Sequence, residues 1–220
     1  MNITKIVAIT QPLIDGVDSA EEFIAYAARV SNPGNQMNNE TSANLLKYCI
    51  RNKHFSVFEM VNVVMQIDTT RDIGRQILRH RSFSFQEFSQ RYANPTGDLG
   101  FSHREVRLQD KKNRQNSIET DDADLAAAWE EKQAALITQA ADIYDWAIVN
   151  HIAKEQARVV LPEGLTNSRL YMSGSLRSWI HYVELRTEAG TQKEHREVAN
   201  NAKHELLTHF AFLNNLWNNQ

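Results

Sequence analysis

The chain has 220 residues, 42% hydrophobic and 23% charged, with only four prolines and eight glycines, the composition of one globular domain spanning 1–220 rather than of a disordered or fibrous chain. Its net charge of −3 excludes a general polyanion binder, which rests on a broad excess of Lys and Arg; no nucleic-acid partner is expected, and any basic site must be local. The single cysteine, Cys49, excludes an intrachain disulfide framework, and neither a long apolar run nor an apolar core behind Met1 and Asn2 points to a membrane or signal segment, so a soluble, cytoplasmic protein is expected.

The apolar run 3–9 predicts a buried strand, closed by the Asp15-Gly16 turn. Ser19 and Glu22 have capping-box spacing and open a helix through Phe23, Ala27 and Val30, which Asn32-Pro33-Gly34 stops. A second helix is predicted over 41–52, with Leu45, Leu46, Cys49 and Ile50 on its apolar face. From 57 to 68 the period shortens: Val61, Val63, Met65 and Ile67 alternate with Asn62, Val64, Gln66 and Asp68, predicting a half-buried strand. Thr70 then caps a helix predicted to reach about His80, with Arg71, Arg75 and Arg79 forming an i, i+4 stripe beside Ile73 and Ile77. Residues 94–97 read as a loop, 104–108 as a short strand and 111–120 as an exposed polar stretch. A long helix over 121–151 opens on Asp121, Asp122 and Asp124 and carries Leu125, Trp129, Leu136, Ile143, Trp146 and Ile148. A helix over 154–161, a strand over 169–173 and helices over 176–185 and 192–217 complete an α+β fold, a helix-rich single domain with a small central, largely antiparallel sheet flanked by helices.

Residues 79–92 read RHRSFSFQEFSQRY, three arginines, a histidine, a carboxylate and two or more hydroxyls in one short stretch. Guanidinium forks recognise phosphate bidentately and stack on planar groups, so a phosphorylated nucleotide or a dinucleotide suits this segment. Its alternative is a solvated basic helix end, with Phe83, Phe85 and Phe88 as core. Later in the chain, Arg177, His181 and Glu184 are spaced four and three apart and share a helix face beside Trp179, Ile180 and Val183, while the stem of Arg158 packs ahead of Val159-Val160-Leu161 and frees its head group. Cys49 lies on an apolar helix face and reads as a buried structural thiol rather than a nucleophile. The eight histidines show no metal-ligand spacing and no Cys partner, so no metal is expected.

Arg79-His80-Arg81, followed after seven residues by Ser89 and then by Arg91, resembles the signature of the flavin-dependent thymidylate synthases. Arg75-Gln76, His54 with Ser56 and Phe58-Glu59, the segment from Ala157 to Pro162 and that from Ser173 to Arg186 are similar to family segments in the same order, over about residues 25 to 215. The resemblance implies synthesis of dTMP from dUMP by reductive methylation, with 5,10-methylenetetrahydrofolate as one-carbon donor and FAD, reduced by NADPH, as hydride carrier, in a homotetramer with shared active sites. It also implies that Arg79, His80 and Arg81 meet FAD together with Ser56, Glu87, Ser175, Leu176, Arg177 and His181. On the nucleotide side it implies Gln76, Ile77, Leu78, Arg79, Glu87, Phe88, Ser89, Gln90, Arg91, Arg158 and Arg186 around dUMP, the backbone from Glu87 to Arg91 cradling its phosphate.

Within that set Arg186 is the candidate activator, because a guanidinium beside uracil N3 and its carbonyl stabilises the N3 anion and pushes electron density toward C5. Ser89 is assigned to substrate positioning, since an unassisted serine is a weak nucleophile. His54 reads either as a proton-handling or folate-side group or as a structural histidine. Two positions depart from the family pattern: Ser175 stands where an Asn is common, and Met60 where a His often follows Phe-Glu. The competing class is a nonenzymatic nucleotide- or RNA-binding module using the same arginines, which the acidic overall charge disfavours.

Overall fold

The computed structural model describes residues 3–217, so the first two and last three positions of the expected 1–220 domain, and with them Met1 and Asn2, lie outside the described residues. In chain order, strand β1 (Ile3–Ile9) is followed by helices α1 (Ala20–Ala28) and α2 (Ser42–Arg51), then by β2 (Asn62–Thr70), α3 (Arg71–Ile77) and β3 (Ser84–Glu87). After the short α4 (Pro95–Asp98) come β4 (Arg107–Gln109), β5 (Ser117–Glu119), α5 (Ala123–Val149), α6 (Lys154–Ala157), β6 (Asn167–Ser175), α7 (Leu176–Arg186), α8 (Lys193–His209) and α9 (Asn214–Trp217).

The four-stranded sheet has the order β1-β2-β6-β3 with every pairing antiparallel, as the α+β expectation requires. Alternation sets its register: Val63, Met65 and Ile67 of β2 lie opposite Gly174, Met172 and Leu170 of β6, and the apolar members of this set are fully buried under α7 and α8. A one-residue slip would turn all of them to the other face. Trp179 of α7 joins that core and donates its indole N–H to Val63 O at 3.0 Å. Gly174 is required where Phe83 crosses the sheet, because a Cβ there would sit 2.4 Å from the Phe83 ring.

Several boundaries differ from the sequence expectation. Strand 3–9 is an edge strand and largely exposed, not buried; only Thr4 is buried outright. Residues Phe55–Met60 form a 3-10 turn ahead of β2 rather than its first half. The helix capped at Thr70 stops at Ile77, three residues short of His80, and Thr70 makes no side-chain cap bond. β4 lies at the end of the strand expected over 104–108, β5 falls in the stretch expected to be exposed and polar, and β3 lies in the arginine motif where no element was expected; each gains strand geometry from a partner strand. The 154–161 helix breaks into α6 and a 3-10 turn at Arg158–Val160, and the 192–217 helix breaks at Phe210. The long helix has its expected acidic start, within which Asp122 is the cap, accepting from the Leu125 N–H at 2.9 Å. No described helix is long and apolar enough to cross a membrane.

Candidate active site

The basic motif begins where α3 runs out. Successive turns, Leu78 N–H to Gly74 O, His80 N–H to Ile77 O and Phe83 N–H to His80 O, aim alternate side chains outward and inward. Arg79 and Arg81 are exposed, and among the described residues neither meets a carboxylate. His80 turns inward, ring edge to face with Tyr182 at 5.0 Å. Phe83 packs on Trp179 at 4.9 Å and fixes the segment to the sheet. Of the three phenylalanines that the alternative reading placed in the core, Phe83 is buried and Phe85 and Phe88 are half-buried, while Arg79 and Arg81 on the other side of the segment are exposed.

Arg186 closes α7 and donates from Nε to His80 Nε2 at 2.9 Å. That bond requires a bare Nε2, hence a neutral His80. Burial, with Arg186 and Arg79 nearby, lowers the His80 pKa to about 4. No carboxylate pairs with Arg186 among the described residues, so its terminal nitrogens remain free. Beneath it lies a second neutral imidazole: His195, 0% exposed, is 3.2 Å from the Tyr182 hydroxyl and 3.3 Å from Gln76 Oε1. Burial, with Arg186 and His80 adding to it, pulls its pKa to about 3, and burial pushes the Tyr182 hydroxyl well above its ordinary value.

A few residues along β3, Glu87 accepts from Ser168 Oγ at 3.0 Å and pairs with Arg75 at 3.1 Å and Arg71 at 3.6 Å. Burial lowers the Arg71 pKa, against the opposing pull of Glu87. Arg91 pairs with Glu155 at 3.4 Å, and Arg158 donates to the Glu155 carbonyl at 3.3 Å, so α6 brings Arg158 beside the 88–91 turn. In that turn the Phe88 N–H is committed to Arg169 O at 2.8 Å, while the Arg91 N–H reaches only Ser89 Oγ at 3.4 Å. Gln90 is 4% exposed and its Nε2 has no partner, an orphaned donor of the kind a bound polar group satisfies.

The third group surrounds the start of α7. Ser175 caps the helix, accepting from the Ser178 N–H, and its Oγ donates to Glu59 at 2.5 Å; Arg177 meets the same carboxylate at 2.9 Å. The Ser175 departure therefore leaves a cap and a carboxylate contact where a longer amide would stand. His181 lies 5.7 Å from the Phe55 ring and 3.7 Å from Glu184, while Trp179, Ile180 and Val183 are buried on the opposite face. Ser56 and Met60 are exposed on the neighbouring turn.

Not every expected residue presents a side chain. Ile77 and Leu176 are fully buried, and the Leu176 N–H is bonded to Val61 O, so either can meet a ligand only through its remaining backbone. Leu78 and Phe88 are half-buried. His54 is exposed behind α2, edge-on to Tyr48 at 5.8 Å, with no hydrogen bond to the other candidates. Cys49 is buried and burial raises its pKa, the setting of an inert thiol. No cluster of three or more metal-ligating side chains occurs among the described residues.

Sequence reasoning missed Tyr182, His195, Gln192, Ser168 and Glu155. Tyr182 precedes Arg186 by one helical turn, a signal that was available; the others meet the site only through tertiary contacts. The donor set fits a flavin dinucleotide: unpaired Arg79 and Arg81 for a pyrophosphate, with aromatic and imidazole edges beside them.

Unpaired guanidiniums beside an antiparallel sheet, backed by neutral imidazoles, define an α+β protein whose free donors suit an anionic, ring-bearing ligand. Residues 12–210 match the family model described as Thymidylate synthase complementing protein. The chain is 50% identical over 206 residues to a probable flavin-dependent thymidylate synthase of Paramecium bursaria Chlorella virus 1, and 47% identical over 209 residues to a flavin-dependent thymidylate synthase of Synechocystis, covering 94% of each chain in both cases. A UMP/dUMP methylase from Streptomyces cacaoi, crystallised with 5-Br dUMP, shares the fold at a TM-score of 0.75 and 23% identity, over 96% of this chain and 92% of that one. The chain belongs to the flavin-dependent thymidylate synthase family.

Proposed function

We infer that this chain, as one catalytic domain, converts dUMP to dTMP by reductive methylation, taking the carbon from 5,10-methylenetetrahydrofolate. The observation that carries the mechanism is Arg186, unpaired at its terminal nitrogens and held through Nε by a neutral His80. FAD, reduced by NADPH, supplies the hydride when bound. Arg79 and Arg81 are free to bind its pyrophosphate, and Ser56, Ser175, Arg177 and His181 stand on the neighbouring surface.

Arg186 offers its two free nitrogens to uracil N3 and the adjoining carbonyl. A guanidinium there favours loss of the N3 proton and raises electron density at C5, the atom that must attack the one-carbon unit. His80 keeps the guanidinium oriented without adding charge. Arg158, Arg91, Ser89 and the orphaned Gln90 amide supply donors suited to a nucleotide phosphate, with Glu87 holding Arg71 and Arg75 in place. Among the described residues Ser89 has no base within hydrogen-bond reach, so it positions the substrate. Burial of Cys49 agrees with a route that uses no cysteine nucleophile.

The arginine corner stands on an open surface, and α5 exposes Leu125, Trp129, Leu136, Ile143, Trp146 and Val149, five of which form one stripe. A face of that length needs a cover; assembly into a homotetramer that completes the active sites supplies one. Purified, flavin-loaded protein given dUMP, methylenetetrahydrofolate and NADPH should form dTMP; absence of product with all three present would overturn the proposal.

A further inference from the structure

Behind the site a hydrogen-bonded chain has a direction imposed from one end. Glu194, near the start of α8, is gripped by Arg107 at 2.5 Å and Arg104 at 3.1 Å. Burial alone would raise its pKa, but its own backbone N–H, Arg104, Gln192 and Arg107 hold it below the ordinary value, so it stays a carboxylate. A carboxylate only accepts. Gln192, 2.9 Å away, must therefore present its amide NH2 to Glu194, which turns its carbonyl toward Gln76. Across 2.7 Å, Gln76 must then offer its own NH2. Its carbonyl consequently faces His195 Nδ1, which must carry the proton. His195 Nε2 is left bare and accepts a hydrogen bond from the Tyr182 hydroxyl at 3.2 Å. Every group is satisfied in this direction only; reversing the Gln76 amide would set two carbonyls against each other and an NH2 against an N–H.

We propose that His195, as a neutral Nδ1–H tautomer, is a positioning residue that holds the Gln76 carbonyl in place, so that the amide whose direction Gln192 and Glu194 set presents its one uncommitted N–H to the nucleotide. The role rests on the dUMP-binding reading of Gln76 given above. Tyr182 serves as the stop at the far end of the chain, and Gln192 and Glu194 as the source of its direction. His195 touches neither substrate nor flavin in this role; it acts through Gln76. The arrangement costs no net charge beside Arg186, which a protonated imidazole at the same place would oppose.

The test uses the flavin-loaded full chain and reads KM for dUMP separately from kcat. His195→Phe, which keeps the volume and removes both hydrogen bonds, should raise KM for dUMP about tenfold, the cost of one lost buried hydrogen bond to Gln76, while flavin absorbance per chain is retained. His195→Asn, whose amide N–H replaces Nδ1–H, should recover most of the loss. With Gln76→Ala as background, His195→Phe should add no further increase, because the group it orients is gone. Gln192→Ala, an exposed position, supplies the same cycle if the core variant does not fold. A long-range 1H–15N spectrum of the unmodified protein should show His195 protonated at Nδ1 and bare at Nε2. Full additivity with Gln76→Ala in either cycle, an unchanged KM in His195→Phe, or the opposite tautomer would each overturn the proposal. If the unmodified protein binds dUMP but forms no dTMP, the functional reading fails while the orientation cycle is still read by calorimetric dUMP binding; if it binds no dUMP, both fall.

Discussion

Arg186 and Arg81 lie in the same corner and do different work. Arg186 is fixed by His80 with its terminal nitrogens free, whereas Arg81 is exposed and unpaired among the described residues. Arg186→Ala should keep flavin absorbance and lower kcat by about 100-fold or more, the scale of losing one preorganised charge from a transition state; Arg81→Ala should chiefly weaken flavin retention. Equal flavin loss in the two variants, measured by absorbance after gel filtration, would show that the roles are divided wrongly. The two neutral histidines give a second residue-scale expectation. In the unfolded chain both titrate near the ordinary 6.5, but in the folded chain near 4 and 3. Stability from this pair is complete above about 6.5 and is lost progressively as pH falls through about 4 for His80 and about 3 for His195, because the unfolded state then binds protons that the folded state refuses. Urea midpoints measured across that window should decline, and His195→Asn should remove its share of the decline. The motif RHR was legible in the sequence as chemistry; that its middle residue faces inward, neutral and bonded to Arg186, was not, because Arg186 arrives from a helix more than a hundred positions away.

At the scale of elements, the motif is anchored to the sheet by one close approach at Phe83. Phe83 lies over Gly174, where a Cβ would be 2.4 Å from the ring, and the ring is itself clamped against Trp179. Gly174→Ala should destabilise by about 1–3 kcal/mol, the range for overpacking a core, and should loosen flavin as Arg79 to Arg81 shift with Phe83; an unchanged urea midpoint would show that the contact can relax freely. Helix α5 depends on its cap, since Asp122 satisfies the Leu125 N–H. Asp122→Ala should cost about 1 kcal/mol, measured as a shift in the same midpoint. Strand β2 was visible from its alternation, and the long α5 from its acidic start and apolar spacing. β3 was missed although Phe83 and Phe85 alternate with Ser82, Ser84 and Gln86, because so short a run becomes a strand only where β6 pairs with it.

For the whole molecule, the informative surface is the apolar stripe of α5. The sequence marked Trp129, Leu136, Ile143 and Trp146 as the helix's apolar residues, and in the folded chain they remain exposed. Trp146, 61% exposed, should be covered in the assembly, so Trp146→Glu should lower the molar mass seen by light scattering and reduce dTMP formation together. A variant that stays fully assembled would place the subunit interface elsewhere. The two cavities along Arg104 and Glu194 are lined by none of Arg79, Arg81 and Arg186, while Arg104, Arg107, Gln192 and Glu194 in their lining belong to the network that orients Gln76.

By itself the sequence determined the fold class, the central strand, most helices, the family through a long and unusual arginine motif, and the inertness of Cys49. Those features are local: a period, a cap or a run of residue types read along the chain. Tertiary structure alone decided which charges are paired and which are free. Glu87 neutralises Arg71 and Arg75, Glu155 takes Arg91, Glu59 takes Arg177, and Arg79, Arg81 and Arg186 are left open. Pairing depends on distances between residues far apart in the chain, and a charge's availability is set by the partner that folding brings to it, not by the residues beside it in sequence.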